Sequence, residues 1–315
     1  MDIEKRNLGK YILADGSLYI PGQNKILKRN IIVKDGILKD INYKGSYDGF
    51  KIIDCKGKII SPGLFDLRAQ FGEPGNEDRE TLESGSKAAL FGGFTKVCIL
   101  PNTDPVLDTP ELIDTINNKS KKLDIDIFPI GSITKNNKGC ELSEIGLMYE
   151  KGIVAISDGY KTIQNSQMIR SALEYAKMFK IPVINYAQDK GLSNNGFFHE
   201  SLLSTKMGLP SKPSIAESIM VYRDLEIARY VGGRIHIPLV STKKTVELIK
   251  EYKKKGVQVT ADTTPYHIGF NIDELDCYDG LHKISPPIRS KEDVLSIVEG
   301  LRDGVIDCIV SDHSP

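Results

Sequence analysis

The stretch from residue 61 to residue 103 constrains the fold more than any other part of the chain. An apolar run at 64–71 follows a Pro-Gly pair, a helical pattern covers 81–91, and a second apolar run covers 95–100. Short apolar runs behind Pro-Gly punctuation are typical of buried strands. Two parallel strands must be joined by a long crossover, usually a helix. The stretch therefore predicts a βαβ unit.

The same alternation continues along the chain. Apolar runs predict strands at 64–71, 95–101, 126–132, 153–158, 182–188, 234–240, 257–263 and 306–312. Helical patterns lie between them near 81–91, 110–120, 141–150, 165–179, 214–230, 242–255 and 291–302. Thr109-Pro110 and the capping box Ser214-x-x-Glu217 are helix start signals. This order predicts an α/β fold, a (β/α)8 TIM-type barrel over 61–315. A doubly wound sheet is the alternative, but the first strand–helix turn lacks a Gly-x-Gly-x-x-Gly fingerprint.

Residues 1–60 contain shorter alternating runs with turn signals between them. The predicted strands and turns are Lys10–Leu13, Ser17–Ile20, Asn30–Lys34 and Ile37–Asn42, separated by Asp15-Gly16, Pro21-Gly22 and Asp35-Gly36. Asp-Gly pairs are strong signals for tight hairpin turns. We therefore expect a small N-terminal β element before the barrel.

Charge and cysteine content exclude several classes of partner. Lys and Arg together number 42, as do Asp and Glu, so the formal net charge is zero. Neither nucleic acid nor an anionic membrane surface is therefore an expected partner. The five cysteines are scattered and odd in number: Cys55, Cys98, Cys140, Cys277 and Cys308. Because the N-terminus also lacks an apolar signal core, we expect a cytoplasmic protein with reduced thiols.

Two long connections interrupt the rhythm, at 189–213 after the fifth strand and at 265–289 after the seventh. Long loops in a compact domain are usually functional, and loops at the carboxyl ends of barrel strands surround active sites. For the histidines of the chain, the first interpretation is structural. We expect a core residue with a hydrogen-bond partner at His236, and exposed residues at His199, His267 and His282.

Residues along the whole chain resemble those of the dihydroorotases (class I type) of the amidohydrolase superfamily. The shared positions are Pro62, Gly63, Asp66, Glu73, Pro74, Gly75, Pro101, Asn102 and Thr103, then His199-Glu200, Gly208-Leu209-Pro210 and Ser285-Pro286-Pro287-Ile288-Arg289. The resemblance implies a hydrolase barrel and an N-terminal β-sandwich element built from both chain ends. It also implies about a hundred further residues after the eighth strand in related proteins, so the barrel at 61–315 would be truncated there.

The resemblance further implies six metal-binding positions at the strand ends. In this chain they are Arg68 and Gln70 on strand one, Asp158 on strand four, Tyr186 on strand five, Leu239 on strand six and Asp312 on strand eight. A catalytic zinc needs about three imidazole, carboxylate or thiolate ligands, and only the two aspartates remain. We therefore expect no bound cofactor, and zinc or another divalent cation only if the chain is active.

Arg68 is the one arginine among these six positions, and its positive charge suggests a replacement for the metal ion. Two aspartates in one barrel mouth repel each other unless a counter-charge is present. We hypothesise that the Arg68 guanidinium pairs with Asp158, Asp312 or both, and that the replaced positions line one cavity with them. The structural alternative is that both aspartates are strand-end residues satisfied by neighbouring amides.

A few other positions are candidates for contact with substrate. Asn102 and His313 are candidate substrate-binding residues, with a turn role and a packing role as their alternatives. Asp312 would be the general base if catalysis persists. The family's substrate arginine corresponds to Gly72, and its asparagine before Pro-Pro corresponds to Ser285.

The resemblance implies a dihydroorotase homologue of de novo pyrimidine biosynthesis with lost or weakened catalysis. Some bacteria carry such inactive homologues, which assemble with aspartate transcarbamoylase, so that enzyme is an expected partner. One alternative is an active hydrolase with an atypical metal site, acting on dihydroorotate and N-carbamoyl-aspartate. Another is a barrel outside this pathway that binds a cyclic amide or another ligand. A homo-oligomer is compatible with each interpretation.

Overall fold

A computed structural model describes residues 9–23, 25–275 and 278–315. The chain divides into two compact units, Met1–Gly63 and Leu64–Pro315. Cys277 and the charged first residues, which entered the arguments on cysteines and on targeting, lie outside the described residues. The remaining four cysteines are free thiols.

The first unit contains one twisted sheet in its described part. Its strands are β1 (Lys10–Ile20), β2 (Lys25–Lys34), β3 (Ile37–Asp40), β4 (Lys51–Asp54) and β5 (Ile59–Ile60). The order is β3-β2-β1-β4, with β5 also on β1, and β1 pairs antiparallel with β2 but parallel with β4 and β5. Ile12, Ala14 and Ile32 form a buried cluster within this unit.

One turn expected in this unit is wrong. Asp15-Gly16 does not end a strand, because β1 runs through it and shifts register against β2 between Leu13 and Gly16. Asp15 has a φ of 58°, so the chain bends in a β-bulge and pairing resumes beyond it. Asp35 and Gly36, with φ of 54° and 74°, do form the tight turn between β2 and β3.

The second unit is built on parallel strands. In chain order they are β6 (Leu64–Ala69), β7 (Phe94–Ile99), β8 (Asp126–Pro129), β9 (Ile156–Ser157), β10 (Val183–Ile184), the short pair β11 (Phe198–His199) and β12 (Ser211–Lys212), then β13 (Ile235–Ile237), β14 (Val259–Thr263) and β15 (Cys308–Ile309). Ladders join β6-β7-β8 and β9-β10-β13-β14-β15. Parallel bridges Gly131–Ile156 and Ala69–His313 join these two arcs. The ring closes, so the predicted barrel is confirmed.

Helices cover the outside of this ring. They are α1 (Leu82–Phe91), α2 (Pro110–Ser120), α3 (Ile145–Glu150), α4 (Ser166–Phe179), α5 (Lys190–Ser193), α6 (Leu202–Met207), α7 (Ile215–Val231), α8 (Lys243–Lys254), α9 (Pro265–Gly269) and α10 (Lys291–Arg302). Short 3-10 turns lie at Lys135–Asn137, Ile272–Glu274 and Gly280–His282. Fully buried aliphatic residues such as Ile113, Leu173 and Ile249 form the layer between helices and strands. Within the described residues, every helix falls short of the length and hydrophobicity that a bilayer crossing requires.

One of the two helix start signals is confirmed and the other is wrong. Thr109 precedes Pro110 as the N-cap of α2, but its side chain makes no capping hydrogen bond. Ser214 also makes none, so the predicted capping box is wrong. Glu217 is buried and instead accepts hydrogen bonds from the backbone and hydroxyl groups of Ser241 and Thr242, just after β13. Glu217 therefore satisfies four buried donors, whereas a capping box would satisfy only the backbone N–H of the N-cap residue.

The long connections bury histidines that we expected to be exposed. His199 in β11 is 9% exposed and His267 in α9 is 2% exposed. The His267 ring is held between the Thr264 hydroxyl and the Pro286 carbonyl, at 2.8 and 3.1 Å, which explains how a polar ring tolerates burial. His236 is the hydrogen-bonded core residue that we expected, with Thr260 and Asp262 each 2.8 Å from a ring nitrogen.

Candidate active site at the barrel mouth

A cavity opens at the carboxyl ends of the strands, where barrel enzymes place their active sites. Its volume is 660 Å³, within the usual range for small-molecule sites. The lining comes from the residues after β9, β14 and β15 and from the connection that follows α9. It includes Tyr160, Tyr266, His267, Ser285, Asp312 and His313.

An ion pair lies at the base of this cavity. The Arg68 Nε atom donates to Asp312 Oδ1 at 2.8 Å, and the Arg68 side chain is 2% exposed. The Arg68 guanidinium carbon lies 4.7 Å from the centroid of the Tyr160 ring, and the Tyr160 hydroxyl donates to the same carboxylate oxygen at 3.2 Å. Burial raises the pKa of Asp312, and the neighbouring Arg68 acts against that rise. The guanidinium is thus held between a carboxylate and an aromatic face.

The other side of Arg68 faces the barrel interior. A second cavity of 380 Å³ lies there, with mostly apolar walls and with Arg68, His236 and Asp262 among its lining residues. Within the described residues, Arg68 Nη2 is buried and has no hydrogen-bond partner. A metal dication beside this guanidinium would meet a permanent positive charge.

Asp158 is satisfied in a different way. Its Oδ1 accepts hydrogen bonds from the Ser132 hydroxyl at 3.0 Å and from the backbone N–H groups of Ile133 and Thr134 at 2.9 Å. Its Oδ2 accepts from the Thr134 hydroxyl. Burial raises the pKa of Asp158 and these donors act against the rise. The carboxylate therefore points into the loop after β8 and does not pair with Arg68.

Gln70 and Asn102 connect the first strands of the ring. Gln70 Nε2 donates to the Asn102 carbonyl at 2.7 Å, and Asn102 Nδ2 donates to the Asp158 carbonyl at 3.2 Å. Gly159 has a φ of 64°, and a Cβ there would lie 1.4 Å from Asn102 Oδ1. Only glycine fits this turn. The contacts of Asn102 hold the turn in place, which agrees with the turn role given as its structural alternative.

His313 lines the mouth but is engaged by the barrel wall. Its Nε2 lies 2.8 Å from a carboxylate oxygen of Glu80, and its side chain is 37% exposed. Its ring meets the edge of Phe71 with centroids 6.0 Å apart. The packing role and the mouth-lining role therefore coexist in one residue.

Tyr186 and Leu239 belong to a small apolar cluster. They are 4% and 1% exposed and pack with Val310 and Leu67. Burial raises the pKa of Tyr186 to about 12, so its phenol stays neutral at ordinary pH. Leu239 keeps a left-handed backbone, with a φ of 55°, but its aliphatic side chain has no donor atom. Neither residue can replace an imidazole ligand.

The expectation that these positions share one cavity is wrong. Asp312 lines the mouth and Arg68 lines the interior cavity. Asp158, Tyr186 and Leu239 line neither. The physical reason is that an aromatic and an aliphatic side chain pack where ligands would project, while loop donors draw Asp158 aside.

The donor set therefore does not fit a zinc site. In the described ranges, no group of three or more His, Cys, Asp or Glu side chains could hold a metal ion. Zinc requires such a set, and a weakly held Mg²⁺ would still need free carboxylate oxygens. Both Asp158 carboxylate oxygens accept hydrogen bonds from the loop after β8, and Asp312 Oδ1 accepts hydrogen bonds from Arg68 and Tyr160.

Sequence reasoning missed a second polar cluster beside the mouth. The Lys212 ammonium in β12 lies 3.0 Å from Gln188 Oε1 and 3.1 Å from Ser285 Oγ. The Tyr186 hydroxyl lies 2.8 Å from the same serine oxygen. Lys212 is 9% exposed and forms no ion pair within the described part of the chain. Replacement of the family's asparagine by Ser285 was the one sequence signal for this cluster, and nothing local marked Lys212.

Solved structures define the class of fold. The L-hydantoinase (dihydropyrimidinase) from Arthrobacter aurescens matches with a TM-score of 0.81, covering 97% of this chain and 69% of that chain at 22% sequence identity. The D-hydantoinase (dihydropyrimidinase) from a Thermus species matches with a TM-score of 0.77, covering 97% and 69% at 20% identity. The second unit therefore shares its barrel fold with these proteins.

Sequence comparison defines the family within that class. Residues 57–245 match the dihydro-orotase-like family. The dihydroorotase of Pelotomaculum thermopropionicum is 40% identical over 306 residues, which cover 97% of this chain and 72% of the relative. The dihydroorotase of Acetivibrio thermocellus is 41% identical over 305 residues, or 96% and 72%. The chain belongs to the dihydroorotase-like family, which confirms the resemblance seen in the sequence.

Proposed function

We propose that this chain is a dihydroorotase homologue of pyrimidine biosynthesis that has lost metal-dependent ring hydrolysis. The observation that carries the proposal is the Arg68–Asp312 ion pair, 2.8 Å long, at two positions where the resemblance implies metal ligands. A metal activates water and polarises the carbonyl, which supplies several kcal/mol of transition-state stabilisation. Without that contribution, hydrolysis of a cyclic amide by the same route becomes very slow.

Asp312 is also poorly suited to act alone as a general base. Its Oδ1 accepts hydrogen bonds from both Arg68 and Tyr160, so this oxygen is already occupied and is not free to take a proton from water or substrate. The active alternative with an atypical metal site would require this pair to open. The mouth cavity of 660 Å³ leaves room for a small cyclic amide, so binding without turnover is compatible with the proposal.

We further propose a partner role with aspartate transcarbamoylase. A homologue without its own catalysis contributes to the pathway through assembly or regulation, and the family resemblance names that enzyme. Gel filtration of the full-length protein with and without aspartate transcarbamoylase from the same cell tests this role. A shared peak is expected, and separate elution at micromolar concentrations of both proteins would contradict it.

Turnover of dihydroorotate tests the loss of catalysis. We expect the purified full-length protein to show at least a thousandfold lower rate than the Pelotomaculum thermopropionicum dihydroorotase assayed in parallel. Arg68→His combined with Gln70→His, Tyr186→His and Leu239→His would restore the imidazole donors. A wild-type rate within tenfold of that relative would contradict the proposal, whatever the behaviour of the substituted variant.

A further inference from the structure

We propose that Ser285 is a nucleophile for acyl transfer and that the Lys212 amine activates it, without a metal ion. The site lies on the edge of the mouth cavity and is separate from the Arg68–Asp312 pair. It would act on a small amide or ester. The inference goes beyond the proposed function, because it assigns this barrel a chemistry that metal-dependent hydrolysis does not use.

The relative placement of the two residues suits such a pair. Ser285 is exposed and lines the mouth cavity, whereas Lys212 is buried and does not line it. The Lys212 Nζ atom lies behind the serine, 3.1 Å from its Oγ. A nucleophile must be accessible to its substrate, while its base needs only to reach the nucleophile's proton. Lys212 thus contacts a residue that lines the cavity without lining it itself.

Two further contacts orient the reacting atoms. Gln188 Oε1 lies 3.0 Å from Lys212 Nζ and accepts one of its N–H bonds. In the neutral amine, the lone pair is then free to accept the Ser285 hydroxyl proton. The Tyr186 hydroxyl lies 2.8 Å from Ser285 Oγ. The same hydroxyl lies 3.2 Å from Gln188 Oε1. Because burial keeps this phenol protonated, Tyr186 can donate its one hydrogen to the serine oxygen, the nearer of the two acceptors, and fix its direction.

The surroundings disfavour the charged form of Lys212 compared with a surface lysine. No carboxylate forms an ion pair with it in the described ranges, whereas surface lysines such as Lys253 pair with an aspartate at 2.8 Å. Burial lowers the pKa of Lys212, and Arg289 lowers it further. Arg289 Nη1 lies 3.3 Å from the Lys212 carbonyl, and Glu217 lies 3.5 Å from the same guanidinium. The pKa of His199, which Arg289 also contacts, is lowered to about 4 by burial, so this imidazole adds no charge at neutral pH.

The proposed reaction transfers the acyl group of the substrate to Ser285. The Ser285 Oγ–C bond forms at the substrate carbonyl while the serine proton moves to Lys212 Nζ. The carbonyl C–N or C–O bond then breaks, and the Lys212 ammonium returns a proton to the leaving nitrogen or oxygen. An acyl-serine ester remains, which water hydrolyses to the acid and free serine. Water is the only co-reactant.

A fluorophosphonate probe tests this assignment on the full-length protein. Attack by Ser285 Oγ on phosphorus expels fluoride and leaves a stable phosphonyl adduct, which intact-mass and peptide mass spectrometry can locate. We expect one adduct per chain, on Ser285, and no adduct in Ser285→Ala. The labelling rate should fall about 100-fold in Lys212→Met, since general-base assistance contributes about 10²-fold or more.

Matched variants separate activation from mere accessibility. Lys212→Arg keeps the charge but cannot lose a proton, so it should label as slowly as Lys212→Met. Ser314→Ala should label at the wild-type rate, because Ser314 also lines the mouth but contacts Gln70 rather than a lysine. Thermal melting verifies that each variant is folded.

Several results would overturn the assignment. They are an adduct on another residue, wild-type labelling rates in folded Lys212→Arg or Lys212→Met, or no adduct on the folded wild-type chain after hours with excess probe. A chelator should leave the labelling rate unchanged. Failure here is distinguishable from failure of the proposed function, because the dihydroorotate assay measures turnover by the wild-type chain, whereas this labelling measures the reactivity of Ser285 towards a different probe.

Discussion

Asp158 and Asp312 end two strands of the same barrel and are stabilised by different kinds of group. Asp158 is 2% exposed and accepts hydrogen bonds from neutral donors in one neighbouring loop, at Ser132, Ile133 and Thr134. The Asp312 side chain is 19% exposed and pairs with a buried cation, Arg68, at the opposite end of the sequence. Both carboxylates occupy positions that the resemblance associates with a metal.

The difference shows two ways in which a barrel can keep a strand-end carboxylate without an ion. Neutral donors stabilise Asp158 through local loop geometry, so its charge needs no distant partner. Asp312 depends on a guanidinium that is itself costly to bury, and each charge of the pair compensates the other. The stability of the chain should therefore fall when the Asp158 carboxylate is removed. It should also fall when either Arg68 or Asp312 is removed alone.

Removal of the Asp158 carboxylate should have the largest effect on stability. In Asp158→Ala, the backbone N–H groups of Ile133 and Thr134 lose their acceptor in a buried loop. Each unsatisfied buried donor costs about 1–3 kcal/mol, so we expect the free energy of unfolding to fall by about 4 kcal/mol. Urea denaturation measures the change. Asp158→Asn, which keeps one acceptor oxygen, should lose less, and a loss below about 1 kcal/mol in Asp158→Ala would contradict the assigned contacts.

Removal of the Arg68 guanidinium should have a somewhat smaller effect, because Asp312 is partly exposed. We expect Arg68→Met to lower the free energy of unfolding by about 3 kcal/mol, the lower end for a broken buried pair. Adding Asp312→Asn to that variant should recover much of the loss, since no unpaired charge then remains. A double-mutant cycle by urea denaturation measures the coupling. Additive losses would show that the two residues do not compensate each other.

Acid should destabilise the fold by protonating His267, a buried imidazole that forms no hydrogen bond with either aspartate. Burial lowers the pKa of His267 to about 4 in the folded chain, while an unfolded histidine titrates near 6.5. Protonation therefore favours the unfolded state, and this contribution is present above pH 6.5 and is lost as the pH falls towards 4. Between pH 7 and pH 5 the wild type should lose about 2 kcal/mol more than His267→Gln.

The two aspartates act against this acid loss. Burial raises the pKa of both Asp158 and Asp312, which by linkage favours the folded state as the pH falls through their folded pKa values. His199, whose pKa burial also lowers to about 4, acts in the same direction as His267, so part of the acid loss should remain in His267→Gln. Equal acid losses in the wild type and in His267→Gln would contradict the assignment of a neutral buried imidazole. Urea denaturation at several pH values measures both variants.

The fold was predictable because its signals are local. The run at 64–71 and the helix at 81–91 follow from hydrophobic periodicity within a few residues. Ser214 failed as a cap signal because its intended partner, Glu217, bonds to residues 24 and 25 positions further along the chain. Sequence gives no measure of that competition.

The candidate site was less predictable because its contacts join distant segments. The resemblance located Arg68 and Asp312, but they are 244 residues apart, and only the barrel decides that Arg68 meets Asp312 rather than Asp158. Lys212 and Ser285 are 73 residues apart and match no local motif. Residue types at strand ends can be read from sequence, whereas the direction of each side chain depends on what packs around it.

Metal content of the full-length protein tests most directly whether the Arg68–Asp312 pair has replaced the ion. Inductively coupled plasma mass spectrometry after purification in zinc-supplemented, chelator-free buffer, with the Acetivibrio thermocellus dihydroorotase treated in parallel, gives the stoichiometry. The account predicts no stoichiometric metal in the wild type and no change in melting temperature on addition of zinc. One or more tightly held zinc ions per chain, with a loss of thermal stability when they are removed, would contradict it.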